Sequence, residues 1–152
     1  MNTPTITLRQ ATLADLDALV PLFDGYRVFY RQASDPDAAR RFLQARFENG
    51  QSVLFIALVG DAPAGFTQLY PSFSSVSMAR IFILNDLFVA AAHRQLGLGT
   101  RLLAASADYA RAVGAIRLTL TTELSNTTAQ AVYEAAGWRR DEVFYTYHLQ
   151  PL

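Results

Sequence analysis

No cysteine occurs in the 152 residues, which excludes disulfides, a cysteine nucleophile and thiolate metal sites. Histidine is almost as scarce: His93 and His148 are the only two, and they lie far apart in the chain. With no His-x-x-x-His and no Gly-x-Ser-x-Gly, zinc hydrolysis and elbow-type serine catalysis have no support. No apolar run reaches the ~18 residues of a membrane span. The stretch from Met1 to Gln10 lacks the basic start and hydrophobic centre of a signal peptide. An excess of one charge is missing too. Thirteen basic residues balance thirteen acidic ones, so no net field recruits nucleic acid or an acidic membrane. These absences lead to the expectation of a cytoplasmic protein with neither of those partners and with no metal.

What the chain does have is apolar substance, 51% hydrophobic against 17% charged, a composition that packs rather than staying disordered. A single domain over residues 1–152 is expected, with ~70% of the unfolded surface buried. Residues 5–9 read as a first strand. Thr12 and Asp15 then form a capping-box-like start to a helix that buries Leu16, Leu19, Val20 and Phe23. Asp35-Pro36 is a cap followed by proline at the first helical position, opening a helix with Phe42 and Phe47 that ends near Asn49-Gly50. Strands follow at 52–59 and 65–70, joined by a loop longer than the tightest class, and a serine-rich loop (71–77) leads to a long strand at 79–89. A helix carrying Leu98, Leu102, Ala105, Tyr109 and Val113 on one face stops at Gly114. A strand at 116–122, a helix at 126–136 and a last strand at 143–149 complete the order β-αα-βββ-α-β-α-β. The fold class expected is α/β (α+β), with a mixed, mostly antiparallel sheet covered on both faces.

Between the long strand and the third helix runs His93-Arg94-Gln95-Leu96-Gly97-Leu98-Gly99-Thr100. Glycines there let the backbone approach a bound group and leave the first helical amides free at the positive end of the dipole. That is a main-chain cradle for phosphate, with Arg94 as a charged rim. A Rossmann fingerprint would need a third glycine where Leu102 stands, and a Walker loop would need a lysine where Thr100 follows Gly99. The spacing resembles the R-x-x-G-x-G pyrophosphate loop of the GNAT superfamily of acetyl-CoA-dependent N-acyltransferases. A second resemblance is more specific: Asn126, Ala129, Tyr133, Gly137 and Trp138 fit the family's N-x-x-A-x-x-x-Y-x-x-x-G-[FW]. The two cover the chain closely from about Ala79 onward, and the first half agrees in element order.

The resemblance implies a six- to seven-stranded sheet flanked by four helices, with acetyl-CoA between strands 79–89 and 116–122 and CoA as product. Backbone groups of Leu87 and Val89 would pair with pantetheine amides, an amide near Leu87–Phe88 would polarise the acetyl carbonyl, and Phe88 would face the other way. Amides of Gln95, Leu96, Gly97, Leu98, Gly99 and Thr100 would hold the pyrophosphate, with Asn126 and Ala129 also at the cofactor. Tyr133 would be the acid for the thiolate, and Asp86 or Glu123 the base. Bland roles stay open: Asn126 as a helix cap, Ala129 as packing, and Asp86 as a strand-end hydrogen bond. Some polyamine-acetylating relatives carry Glu-Asp where this chain has Asn85-Asp86.

On the acceptor side, Asp24, Tyr26, Phe29, Tyr30, Tyr70 and Phe73 suit a small cationic amine through cation–π contact and charge pairing, although each aromatic could equally be ordinary core. A polyamine, amino acid or aminoglycoside is expected ahead of a protein lysine. A non-catalytic acyl-CoA sensor is the alternative to an enzyme, and a homodimer is open to either.

Overall fold

Residues 2–152 are described by the structure, a computed structural model. The chain divides into two compact units, one ending at Thr121 and the other running from Thr122 to Leu152. The first unit carries a five-stranded sheet in sequential order: β1 (Ile6–Gln10), β2 (Val53–Val59), β3 (Ala62–Ser74), β4 (Ala79–Val89) and β5 (Leu118–Thr119). β1 to β4 are antiparallel neighbours, and β5 lies parallel to β4 at Phe82 and Ile83. Helices α1 (Leu16–Phe29), α2 (Pro36–Glu48) and α3 (Leu98–Ala112) belong to this unit, and α4 (Thr127–Ala135) to the second.

Side-chain alternation along the strands assigns the helices to faces. Leu54, Ile56 and Phe66 turn one way and join Leu19, Phe23, Ala39 and Leu43 in one buried cluster of α1, α2, β2 and β3. Leu19, Leu43, Ile56 and Phe66 are sealed completely, and each such side chain stabilises the fold by about 1.5–3 kcal/mol. Phe55 and Phe82 turn the other way, and their rings meet Tyr109 of α3 at 5.8 and 5.7 Å. The buried stripe of α3 is Leu98, Leu102, Leu103, Ser106 and Ala110. It is rotated slightly from the expected one, leaving Val113 exposed just past the helix.

Local chemistry sets the joints. The Thr12 amide donates to Asp15 Oδ2 at 2.8 Å, and Arg9 grips both oxygens of Asp15, so β1 and the start of α1 are tied together. β2 and β3 meet through the two-residue turn Gly60-Asp61, tighter than expected, because Val59 pairs with Ala62. Gly60, at φ +59°, provides the left-handed residue such a turn needs. Ala62-Pro63 is absorbed into β3, with a register shift just beyond.

The class matches the expectation, but the strand count is five and not six to seven. The strand foreseen at 116–122 contracts to Leu118–Thr119, and β3 continues to Ser74 through most of the expected serine-rich loop. Residues 143–149 form no strand. Their alternation supplies two faces, but a strand also needs a neighbour for its backbone groups. No ladder partner is present among the described residues, and Val143, Phe144, Tyr145 and Tyr147 are all more than three-quarters exposed. In the second unit, α4 is capped by Asn126 Oδ1, which accepts from the Ala129 amide at 3.2 Å. Gly137 ends it at φ +93°, with the Trp138 amide donating back to the Tyr133 carbonyl.

Gly65 marks a close backbone approach in the sheet: a Cβ there would stand 2.8 Å from the Phe88 carbonyl oxygen. Gly65→Ala should therefore cost about 1–3 kcal/mol, read as a lower urea midpoint at unchanged m-value. Gly99→Ala, where a Cβ meets nothing within 4 Å, is the matched control and should not lose stability.

Candidate active site

Two arrangements in the first unit have functional geometry, and both grow out of β4. One is the loop after it. A single 3-10 turn (Ala91–His93) leads to Arg94 in extended backbone, then Gln95 at φ +67° and Gly97 at φ +73°. Left-handed residues so close together are the backbone feature found in anion-binding concavities, where successive N–H groups turn to one side. Gly97 occupies the cap position of α3 without a side-chain cap. The Arg101 amide is the first to reach back to the Gly97 carbonyl, at 3.1 Å, so the amides of Leu98, Gly99 and Thr100 have no intrahelical acceptor. No acidic residue sits in that first turn. Arg94 Nε donates to the Val89 carbonyl at 3.2 Å, which ties the loop to the end of β4 and engages a backbone oxygen expected to face pantetheine. From Leu84 to Val89 the second edge of β4 has no strand partner among the described residues, since β5 pairs only with Phe82 and Ile83.

The other arrangement surrounds Asp86. In the β3–β4 ladder Gln68 faces Asp86 but Leu69 faces Leu84, so Asn85 is an extra residue, a β-bulge. Asp86 is buried on the α1 side, 1% exposed. Its Oδ1 accepts from Asn85 Nδ2 at 2.7 Å and its Oδ2 from Gln68 Nε2 at 2.6 Å. The Thr67 hydroxyl donates to its carbonyl. No cationic side chain forms an ion pair with it among the described residues. Burial pushes the Asp86 carboxyl above the usual carboxylate range, and hydrogen bonds from Asn85, Gln68 and Tyr26 oppose that rise. Burial, and then the charge of Asp86, raise the half-buried phenols of Tyr26 and Tyr70 above the ordinary tyrosine range. The Tyr26 hydroxyl also donates to the Asn85 carbonyl at 3.1 Å. Its ring sits edge-on to Tyr30, Phe66 and Phe88 at 5.0, 6.0 and 6.5 Å. Phe88 thus points toward α1, away from Leu87 and Val89, as its strand position requires.

The structure therefore brings Asp86, Tyr26 and Tyr70 together and adds Gln68, which sequence reasoning missed. Two polar residues inside an apolar strand, Thr67-Gln68, were the available signal. Phe73 goes elsewhere. Alternation puts it on the α3 side, where Arg80 stacks on it at 4.8 Å. Asp24 is occupied in holding the α1–α2 connection: it accepts from the Ser34 hydroxyl and the Asp35 amide at 2.6 and 2.8 Å, and both keep its carboxyl below the usual range. Phe29 lies half-exposed beside Tyr30. Tyr133, Asn126, Ala129 and Glu123 belong to the second unit, where Tyr133 neighbours Trp138 at 6.2 Å and the Glu123 carbonyl accepts from Gln130. A cavity of about 340 Å³ lined by Pro71, Phe82 and Tyr109 opens on the α3 face, the opposite one from Asp86.

The acetyltransferase (GNAT) family profile matches residues 17–138. An uncharacterized N-acetyltransferase of Bacillus subtilis (strain 168) is 53% identical, over 95% of this chain and 97% of its own. The crystal structure of a probable acetyltransferase superposes with a TM-score of 0.91 at 43% identity, covering 96% of this chain and 97% of that one. An aminoglycoside N-acetyltransferase solved in complex with CoA shares the fold, with a TM-score of 0.81 at 20% identity over 99% and 98% of the two chains.

Because the folded carboxyl of Asp86 titrates above its unfolded value, the native state holds the extra proton between the two. Stability from this group is present below the unfolded value, near 3.9, and is lost as pH rises through the folded one. Urea titrations of the wild type and Asp86→Asn across that window should show the wild type losing ground as pH rises. A difference independent of pH would contradict the assignment.

Proposed function

The chain belongs to the acetyltransferase (GNAT) family, and from that premise we propose that it transfers the acetyl group of acetyl-CoA to the nitrogen of a small primary amine. The observation that carries the reading is the unpaired edge of β4 running into the left-handed Gln95–Gly97 turn and the open amides of α3. An extended chain ending in a pyrophosphate matches both parts, the first as an added strand and the second as an anion. Acetyl-CoA supplies the activated acyl carbon. The amides of Leu98, Gly99 and Thr100 take the phosphates, with Arg94 at their rim, and backbone groups of Leu87 to Val89 orient the thioester. A main-chain amide at Leu87–Phe88 stabilises charge on the acetyl oxygen.

The attacking nitrogen must be neutral, so an ammonium has to give up a proton before it forms the new C–N bond. Asp86 is the group proposed to receive it, directly or through one water. A carboxyl raised by burial is better matched to an ammonium than an ordinary one. The C–S bond then breaks and the sulfur takes a proton, for which Tyr133 is the proposed donor. The aromatic wall of Tyr26 and Tyr30 favours a small amine over a protein lysine. A cytoplasmic location fits a reaction that draws on acetyl-CoA.

Gly99→Glu places a carboxylate among the open amides at a position with free space and ordinary φ. The variant should stay folded and lose acetyl-CoA binding in calorimetry; unchanged affinity would rule out the phosphate site. Tyr133→Phe should lower kcat by roughly 10²–10⁴-fold while leaving acetyl-CoA affinity nearly intact, measured as thiol release with a panel of amines. Every basic residue in the chain is arginine, so acetylated lysine of the enzyme itself cannot confuse the product analysis. Failure of every amine, peptide or antibiotic to give thiol release would point to a non-catalytic acyl-CoA sensor.

A further inference from the structure

Arg46, in the last turn of α2, forms no ion pair with a carboxylate among the described residues. Three other arginines of the first unit have carboxylate partners, Arg9 with Asp15, Arg40 with Asp17 and Arg111 with Asp108. Arg46 has only a ring, its guanidinium carbon lying 4.6 Å over Phe42. Its Nε is sealed from solvent and has no hydrogen-bond partner. A guanidinium presents five donors in a planar fork shaped for a carboxylate, and here it lies over an aromatic face with no acidic side chain paired to it among the described residues.

The position of this side chain is set by the fold. The Gln51 amide donates to the Arg46 carbonyl at 2.9 Å, folding the end of α2 onto the start of β2. There Leu54 pairs with Gln68 of β3. Tyr70 follows Gln68 by two residues, on the same face of the sheet. The Phe42 ring beneath Arg46 stacks on Phe23 at 5.6 Å, and Phe23 stacks on Tyr26 at 6.3 Å, so the guanidinium lies on this same face. Burial raises the Tyr70 phenol most, the charge of Asp86 adds to the rise and that of Arg46 opposes it. Along this face, therefore, a carboxyl, a phenol and a guanidinium form a short row: Asp86, Tyr70, Arg46.

We infer that Arg46 anchors a carboxylate of the acceptor, and that the acceptor is an amine that also carries a carboxylate. This rests on the acetyl-transfer reading, with the amine at the Asp86 end. The row has opposite charges at its two ends, the complement of a zwitterion. A polyamine fits it badly, because a second ammonium would be brought toward the guanidinium, and a protein lysine has no carboxylate to offer. Tyr70, between the two ends, supplies a hydroxyl and an aromatic edge to the connecting carbons.

The test compares kcat/KM for free amino acids of both hands and increasing chain length, each against its own carboxamide, with spermidine as the polyamine. The wild type should prefer each productive acid over its amide by roughly tenfold or more, with the difference in KM. Arg46→Gln should erase that ratio while turning over the amide as before, which also shows that the variant is folded. Arg46→Lys should restore part of it, since the charge returns without the fork. Equal rates for acid and amide in the wild type, a ratio that survives in Arg46→Gln, or spermidine as the best acceptor would each overturn the inference and leave acetyl transfer standing. Failure with every amine would remove the acetyl-transfer reading and this inference with it.

Discussion

One interrupted ladder sets the geometry of the first unit. β3 and β4 pair along almost their whole length, and the single extra residue, Asn85, shifts the facing of everything on one side of it relative to the other. Before the bulge, Leu84 faces α3 alongside Phe82. After it, Asp86 and Phe88 face α1 and Leu87 faces α3. Without the insertion the period of two would place Leu84 and Asp86 on the same face. The bulge separates a packing surface from a polar pocket within three residues.

The polar pocket is costly to keep. Asp86 is buried with amide donors and no cation, so its charged form is held by hydrogen bonds alone. Carboxyls in that condition favour the proton. A cation in Asn85's place would lower the carboxyl and stabilise the fold, and would also remove the raised proton affinity on which the proposed base role of Asp86 rests. Gln68 is part of the same compromise: its Nε2 serves Asp86 while its buried Oε1 finds no partner, an imperfection that an apolar residue at that position would not carry.

Much of this was legible in the chain. The helices were written in caps and stop signals, Asp35-Pro36 and Asn126 most plainly, and the strands in alternation. The glycine loop was legible because main-chain geometry needs specific residues at fixed places, although the left-handed Gln95 was not foreseen, since glutamine gives no sign of it. What escaped depends on register. Nothing in the string announces that Asn85 is unpaired, so neither the meeting of Gln68 with Asp86 nor the turning of Phe73 toward α3 could be read in advance. The segment at 143–149 shows the converse: its alternation is clear, but pairing belongs to two segments and cannot be written in one.

Gly25 adds a constraint of a different kind. It lies in α1 immediately before Tyr26, and a Cβ on it would stand 3.2 Å from the ring of Phe88. The bare backbone is therefore what lets α1 settle onto β4 at its present depth. Because Tyr26 rides on that helix and Tyr70 on the sheet, Gly25 acts as a spacer gauge for the gap between the two phenols. A single methyl group at this position would require the Phe88 ring or the helix to give by a few tenths of an ångström. The depth at which α1 rests on β4 is thus set, in part, by a residue with no side chain of its own.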